Sequence, residues 1–311
     1  MTTDRGPATH RVLLTRRIPS AVLSRLEAAC DVERYDGAAA ITEDELKRRI
    51  GDKHALVCLL TDPITPAVFD AAPDLKVVAN IAVGYDNIDV AAAKARGIVV
   101  TNTPDVLTEA VAEFTWGLIL GLARRIGEGE RLLRRGQWKG WALDLLLGME
   151  LRGKLLGIIG RGRIGRSVAA RAPAFGMSVA FAGHEMSLDE VLVRSDVLSI
   201  HAPASPKTRH LIDRRALARM KRSALLVNTA RGSIVDEQAL AWALREHLIA
   251  GAALDVYERE PAVEEALLSM ENVVLAPHLG SATRETRTAM ADLAVSNVLA
   301  VLEGKPPITP V

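Results

Sequence analysis

The sequence is short of three things, and each shortage excludes something. Only two of its 311 residues are cysteine. Cys30 falls near the end of a predicted helix and Cys58 inside a predicted strand, so neither a disulfide framework nor a Cys-rich metal centre is expected; a reduced, cytoplasmic setting fits. Net charge is nearly absent: 39 Lys and Arg stand against 38 Asp and Glu, which leaves no reservoir of positive charge for gripping nucleic acid. Long apolar runs are missing too. The start, MTTDRGPATHRVLLTRR, has no sustained apolar stretch behind its charges and does not read as a secretory leader. The most apolar helical candidate, Val111 to Ala123, contains Glu113 and stops at Arg124 and Arg125, short of the ~20 residues that a membrane span needs. It is expected in the interior or at a subunit contact. No internal repeat and no low-complexity linker interrupts the chain.

What is present is apolar content, 49% of the residues, enough for two ordinary domains. Short β-branched runs alternate with helical stretches, the pattern of parallel sheets covered by helices. In the first third the predicted strands are Arg11–Thr15, Ala55–Leu60, Lys76–Asn80 and Ile98–Val100, with Thr42 and Glu45 spaced as a capping box for the helix before Ala55. A second series runs through Leu155–Ile159, Ser178–Ala182, Asp196–Ile200, Ser223–Asn228, Ala253–Val256 and Val273–Ala276. Ser187 and Glu190 form another candidate box, and Asp236 can cap the helix running to about His247. The last amphipathic segment, Arg284 to Leu302, is stopped by Gly304, Pro306 and Pro307. If it folds back onto the first domain, the chain crosses twice between domains, first near Thr101 to Pro104, and a cleft is expected between them.

The strongest local motif is KLLGIIGRGRIGRSVAARAPAFG, in which Gly160, Gly162 and Gly165 read GxGxxG after a predicted strand and at the start of a predicted helix. Gly160 permits a tight turn, Gly162 lets the backbone approach a pyrophosphate, and Gly165 lets helix and strand pack closely. The helix N-terminus then offers N–H groups to the anion. Such glycine triples also occur in turns without a ligand; the flanking strand and helix favour a dinucleotide here. The next strand, GMSVAFAGHEM, ends in Gly183 and His184, where an acid would hydrogen-bond the adenosine ribose and repel a 2′-phosphate. With that acid absent, and His184, Arg161 or Arg163 available as donors, NADP(H) is slightly favoured as cofactor. Glu185 keeps NAD(H) open, and the plainer reading of His184 is an exposed loop residue.

Several further segments stand in order: AVGYDNID at 82–89, TNTPDVLTEAVAEFTWGLILGLARR at 101–125, HAPASPKTRHLID at 201–213, LLVNTARGSIVDEQAL at 225–240, GAALDVYEREP at 251–261 and APHLGSAT at 276–283. Together with the glycine turn they cover nearly the whole chain and resemble the D-isomer-specific 2-hydroxyacid dehydrogenase family, especially its glyoxylate and hydroxypyruvate reductase branch. The resemblance implies an α/β fold in which a doubly wound Rossmann nucleotide domain, residues 102–284, is inserted into a discontinuous flavodoxin-like substrate domain, residues 1–101 and 285–311. It also implies a homodimer joined largely through the nucleotide domain, and no membrane or nucleic-acid partner. The segment between Gly183 and Asp196 departs from the family by its shortness, for it lacks the usual extra strand or helix beside the adenine.

Matching the family's motifs residue by residue makes Arg231, Glu260 and His278 the catalytic trio. Their chemistry suits the reduction of a 2-keto acid. Arg231 offers a planar fork for a carboxylate. His278 can donate a proton to the carbonyl oxygen and take it back in the reverse direction, and Glu260 can orient the imidazole from its far nitrogen. The plainer alternatives are an Arg231 that only pairs with a neighbouring acid, Glu258 as the inward acid, and His278 as a satisfied core histidine. By the same resemblance, Arg163 and Ile164 contact the pyrophosphate, while Pro203, Thr208, Thr229, Ala230, Asp255 and Gly280, with Thr108, Arg231 and His278, line the cofactor. Leu60, Val83 and Gly84, with Arg231 and His278, receive the substrate. The expected reaction is reversible NAD(P)H-dependent reduction of glyoxylate or hydroxypyruvate to glycolate or D-glycerate. D-3-phosphoglycerate dehydrogenase or another D-2-hydroxyacid dehydrogenase is the alternative, and a non-enzymatic dinucleotide-sensing corepressor the different-class reading.

Overall fold

The computed structural model describes residues 10–311, and most of the opening segment read above for a leader lies outside them. The chain divides into two compact units, one running to Leu107 and resuming at Thr283–Val311, the other Thr108–Ala282.

The first unit is built on five parallel strands, β1 (Arg11–Leu14), β2 (Asp31–Arg34), β3 (Ala55–Cys58), β4 (Val77–Asn80) and β5 (Val99–Thr101), in the flavodoxin-like order β2-β1-β3-β4-β5. Every residue of β3 and β4 is buried, as continuous apolar runs in a parallel sheet require. The helices are α1 (Ser20–Glu27), α2 (Glu43–Ile50), α3 (Pro66–Asp70), α4 (Val90–Ala95) and, from the far end of the chain, the helix Arg284–Leu302, which lies against α1, β3, β4 and β5. It has the bounds predicted for it, and Gly304 follows in the left-handed region at φ 75°. Two sequence expectations need correction. No strand was predicted at β2, because DVER has no apolar face and none of its residues is buried at this sheet edge. The box at Thr42 is only half formed: its hydroxyl accepts from the Glu45 N–H, but the Glu45 carboxylate turns to Arg48 and Arg49.

The second unit carries six parallel strands, β6 (Leu155–Ile159), β7 (Ser178–Phe181), β8 (Val197–Ile200), β9 (Leu225–Asn228), β10 (Gly251–Leu254) and β11 (Val273–Leu275), in the order β11-β10-β9-β8-β6-β7. Its helices are α5 (Thr108–Ala123), α6 (Ile126–Arg134), α7 (Arg163–Arg171), α8 (Leu188–Arg194), α9 (Arg214–Arg219), α10 (Glu237–Arg245) and α11 (Glu265–Leu268), which makes the final helix of the chain α12. Side chains alternate across the sheet with period two. Leu156, Ile158, Val197, Leu225 and Val227 join a core with Ala112, Trp116 and Ile119 of α5 and Val168 of α7. Ile159, Leu198, Ile200 and Leu226 join the opposite core with Val191 of α8, Leu217 of α9 and Leu240 of α10. Helices therefore cover both faces. One face of the apolar segment Val111 to Ala123 is buried within this unit along α5, where the Trp116 indole N–H donates to the Val168 carbonyl at 3.0 Å and its ring stacks on Phe175, while Glu113 and Gly117 are exposed. The strand predicted at Ala253–Val256 instead begins at Gly251. Gly and Ala give little strand signal, yet a Cβ at Gly251 would stand 2.7 Å from the Asn272 carbonyl, so the register requires a residue of low propensity.

The short segment after β7 has a visible consequence. A single seven-residue helix, α8, leads from β7 to β8, and β7 is left at the sheet edge. Ser187 and Glu190 form both halves of the predicted capping box on α8. Ala182 donates its N–H inward to Ile158 at 2.9 Å, while the outward N–H of Phe181 is taken by the Glu185 carboxylate at 2.9 Å. No helix among the described residues is long and apolar enough to cross a membrane.

Candidate active site

In the second unit, the residues singled out in the sequence follow the carboxyl ends of the six strands: Gly160 after β6, Gly183 and His184 after β7, Pro203 after β8, Thr229 to Arg231 after β9, Asp255 after β10 and His278 after β11. Parallel strands bring all these loops to one rim, where an open α/β sheet presents its ligand groups.

On this rim His278 meets Glu260, with Arg231 near enough for its charge to be felt. His278 Nδ1 lies 2.9 Å from a Glu260 carboxylate oxygen, with 28% and 27% of the two side chains exposed. The other Glu260 oxygen accepts from the Tyr257 N–H at 3.0 Å. Burial pushes the Glu260 carboxyl up, but the hydrogen bond and charge of His278, the Tyr257 N–H and the charge of Arg231 outweigh it and hold the group below the ordinary carboxylate range. An ionised carboxylate only accepts, so Nδ1 carries the shared proton and Nε2 is left for chemistry. Glu258 is engaged elsewhere: its carboxylate takes Arg209 at 2.7 Å and His210 at 2.9 Å.

The turns that carry these groups are built by neighbours. Asn228 accepts from the Ala230 N–H and donates to the Arg231 carbonyl, at 3.0 and 2.9 Å, clamping the bend after β9. Gly232 follows because its backbone runs directly against Tyr257 and Glu258; a Cβ there would collide with both. Buried Glu237 accepts from the Glu258 N–H at 2.5 Å and from the Glu264 N–H at 3.3 Å, fixing the loop on either side of Glu260. His278 itself stands in the left-handed region at φ 54°. It is held there by Asp255, whose main-chain carbonyl accepts the His278 N–H at 2.9 Å and whose buried carboxylate accepts from Leu279 and Gly280 at 2.6 and 2.8 Å. Burial raises the Asp255 carboxyl, opposed by those two N–H groups and the charge of His278.

The matches to known proteins agree with this rim. The family model described as D-isomer specific 2-hydroxyacid dehydrogenase, NAD binding domain, matches residues 116–280. A glyoxylate reductase of Thermofilum pendens is 47% identical over 317 aligned residues, covering 96% of this chain and 94% of that protein. A crystal structure of a Thermus thermophilus protein superposes with a TM-score of 0.92 at 46% identity, covering 97% of this chain and 99% of that one. The NADPH-dependent glyoxylate/hydroxypyruvate reductase of Sinorhizobium meliloti, solved in complex with NADP and malonate, does so at 0.86 and 40%, covering 97% and 96%. This chain belongs to the D-isomer-specific 2-hydroxyacid dehydrogenase family.

The dehydrogenase uses NAD(H) or NADP(H), and its glycine turn fits such a ligand. Gly160 has φ 100°, and a Cβ there would lie 2.5 Å from the His201 carbonyl; one at Gly165 would collide with the Gly160 carbonyl. Gly162, by contrast, faces open space, and no side chain caps the helix that begins at Arg163 and Ile164. The turn is thus closed toward the sheet and open outward, as a backbone cradle for a pyrophosphate must be. Thr208 closes its loop by donating to the Pro203 carbonyl at 2.8 Å, and the hydroxyls of Thr229 and Thr115 lie 2.9 Å apart. Thr108 opens α5, whose neighbour Glu109 bonds Ser167 and Arg171 of α7. At the end of β7, Gly183 has φ 78° and His184 is exposed, while Arg161 stands over the Phe181 ring at 5.6 Å. In the first unit, Leu60 follows β3, and Val83 and Gly84 follow β4.

The sequence reading assigned no part to Asn228, Gly232 or Glu237. Gly232 and Glu237 act on a segment more than twenty residues away, and Asn228 ties a turn only two and three residues ahead of it; the available signals were the Asn of NTARG and the glycine directly after its arginine.

Proposed function

We propose that this dehydrogenase reduces glyoxylate or hydroxypyruvate to glycolate or D-glycerate, reversibly, with Arg231, Glu260 and His278 as its catalytic residues. The observation that carries the reading is the Glu260–His278 pair at 2.9 Å beside the charge of Arg231. The Arg231 guanidinium binds the carboxylate of the keto acid and fixes the plane of the adjoining carbonyl. A reduced nicotinamide held by the glycine turn and the strand-end loops would supply the hydride for the carbonyl carbon. His278 gives the proton on Nε2 to the carbonyl oxygen, and in the reverse direction takes it back. Glu260 keeps Nδ1 protonated and the ring aimed, so that Nε2 is the atom that exchanges the proton.

Residues 102–284 are read as the dinucleotide-binding domain and residues 1–101 and 285–311 as the substrate domain, close to the division into compact units at Thr108 and Thr283. Gly160, Gly162, Arg163, Ile164 and Gly165 take the pyrophosphate. Thr108, Gly183, His184, Pro203, Thr208, Thr229, Ala230, Asp255 and Gly280 line the rest of the cofactor, and Leu60, Val83 and Gly84 receive the substrate. With no acid at Gly183 or His184, and with Arg161 beside the end of β7, a slight preference for NADP(H) follows. A cytoplasmic homodimer is part of the same proposal. Between α6 and β6 the side chains of Trp138, Trp141, Leu143 and Leu147 stand 52%, 81%, 80% and 67% exposed, an apolar run that water disfavours and a second copy would cover.

The test is loss of NADH or NADPH absorbance with glyoxylate, hydroxypyruvate, pyruvate and phosphohydroxypyruvate offered separately. Turnover is expected with the first two and should fall by roughly 10²–10⁴ in His278→Ala, the range that general acid catalysis contributes. Preference for phosphohydroxypyruvate would instead make the protein a 3-phosphoglycerate dehydrogenase.

A further inference from the structure

In the first unit, the loops after β3 and β4 carry Leu60, Val83 and Gly84, and three asparagine side chains hold both loops in place. Asn87 Nδ2 donates to the carbonyls of Leu59 and Asp62, each at 3.0 Å. Asn80, fully buried, donates to the Gly84 carbonyl at 2.9 Å and to Asn87 Oδ1 at 3.3 Å. Asn102 donates to the Val83 carbonyl at 2.8 Å. Asp62, also fully buried, steadies the first loop by accepting from the Leu59 N–H at 2.7 Å and the Thr15 hydroxyl at 2.5 Å. The amide side chains come from β4, from the loop that follows it and from just beyond β5, and all reach backbone carbonyls.

The geometry of the peptide unit gives this arrangement a consequence. In a trans peptide the C=O and the following N–H point in opposite directions. Tying the carbonyls of Leu59, Val83 and Gly84 into the asparagine cluster therefore turns the N–H groups of Leu60, Gly84 and Tyr85 away from it. None of these three N–H groups has an acceptor among the described residues. Two chain segments that are 24 residues apart at Leu60 and Gly84 thus present outward donors that backbone conformation alone would not fix. Amide donors are also neutral, so the cluster orients the loops without placing a competing cation beneath them.

We infer that Asn80, Asn87 and Asn102 are positioning residues that build a backbone receptor for the carboxylate of the 2-keto acid. The inference rests on the substrate reading of Leu60, Val83 and Gly84 given above. Asn87→Asp keeps the size of the side chain but sets an acceptor against two carbonyls; Asn102→Ala removes a single tie. Asn87→Asp is expected to raise KM for glyoxylate by about tenfold or more while kcat changes less than about threefold, the pattern of lost uniform binding. Calorimetric titration of the cofactor-loaded protein with malonate, a carboxylate probe that cannot turn over, should show a parallel weakening, with cofactor affinity by protein fluorescence unchanged. Asn102→Ala should do the same by a smaller factor, and it decides the matter alone if Asn87→Asp does not fold. Unchanged KM and unchanged malonate affinity, with only the melting temperature lowered, would overturn the inference. Asparagine-dependent malonate binding in a protein that turns over no keto acid would overturn the function and leave the receptor standing; absence of malonate binding by the wild type would overturn the receptor.

Discussion

Glu260 reaches its place against the cost of burial, and the hydrogen bonds of His278 and the Tyr257 N–H, with the charges of His278 and Arg231, keep it ionised. Glu260→Gln retains the shape but can offer Nδ1 either an amide oxygen or an amide N–H, so the ring loses its fixed tautomer. We expect kcat/KM for glyoxylate to fall by about 10²-fold or more with the far-ultraviolet circular dichroism unchanged. The pH dependence has a definite sign. A carboxyl held below its ordinary value contributes stability that is present above the ordinary carboxylate range and lost as pH falls through the lowered value. The melting-temperature gap between wild type and Glu260→Gln should therefore be widest near neutrality and close on acidification; a gap that widens in acid would refute the assignment. At this scale the pairing of Glu260 with His278 was legible, because YEREP offers an acid and APHLGSAT a ring, each in a dense motif. The sequence was silent on Gly232 and Glu237, whose partners are backbone groups that only the folded chain brings near, and on Asn228, which ties a local turn through the Ala230 N–H and the Arg231 carbonyl.

Elements were legible to the extent that their cause is local. Asp236 caps α10 by accepting from the Ala239 N–H, Ser187 caps α8, and Gly304 follows the end of α12, all from side-chain or backbone chemistry within a few residues. β2 and the start of β10 were not legible, because an edge strand of charged residues and a strand opening on Gly-Ala-Ala take their conformation from neighbours rather than from their own propensity. The cap on α8 gives a direct check. Ser187→Ala should lower stability by about 1 kcal/mol in urea denaturation, with kcat for glyoxylate unchanged, since the box lies in the exposed connection from β7 to β8. An unchanged midpoint would mean that the helix is held by its packing through Val191 and Leu192 alone.

Across the whole molecule, the two parallel sheets differ in strand number and in chain continuity. The first has five strands and is packed by α12 from the far end of the chain, while the second has six strands from one continuous stretch, covered by helices on both faces. The exposed apolar run from Trp138 to Leu147 belongs to neither core. Replacing Trp141 and Leu143 together by Asp should convert a dimer to a monomer in sedimentation velocity at micromolar concentration, with secondary structure retained. A wild type that sediments as a monomer would remove the dimer from the proposal.

The edge left at β7 bears on how this protein behaves at high concentration. A border strand with free N–H and C=O groups is a template on which a stray strand from another molecule can add. Here the border is only four residues long, and the chain folds back on it: Glu185 occupies the outward N–H of Phe181, and the Gly183 N–H closes on the Met186 carbonyl at 2.7 Å. The shortened connection therefore carries its own plug. One acidic side chain and one tight turn stand where a further strand would otherwise have shielded the sheet from aggregation.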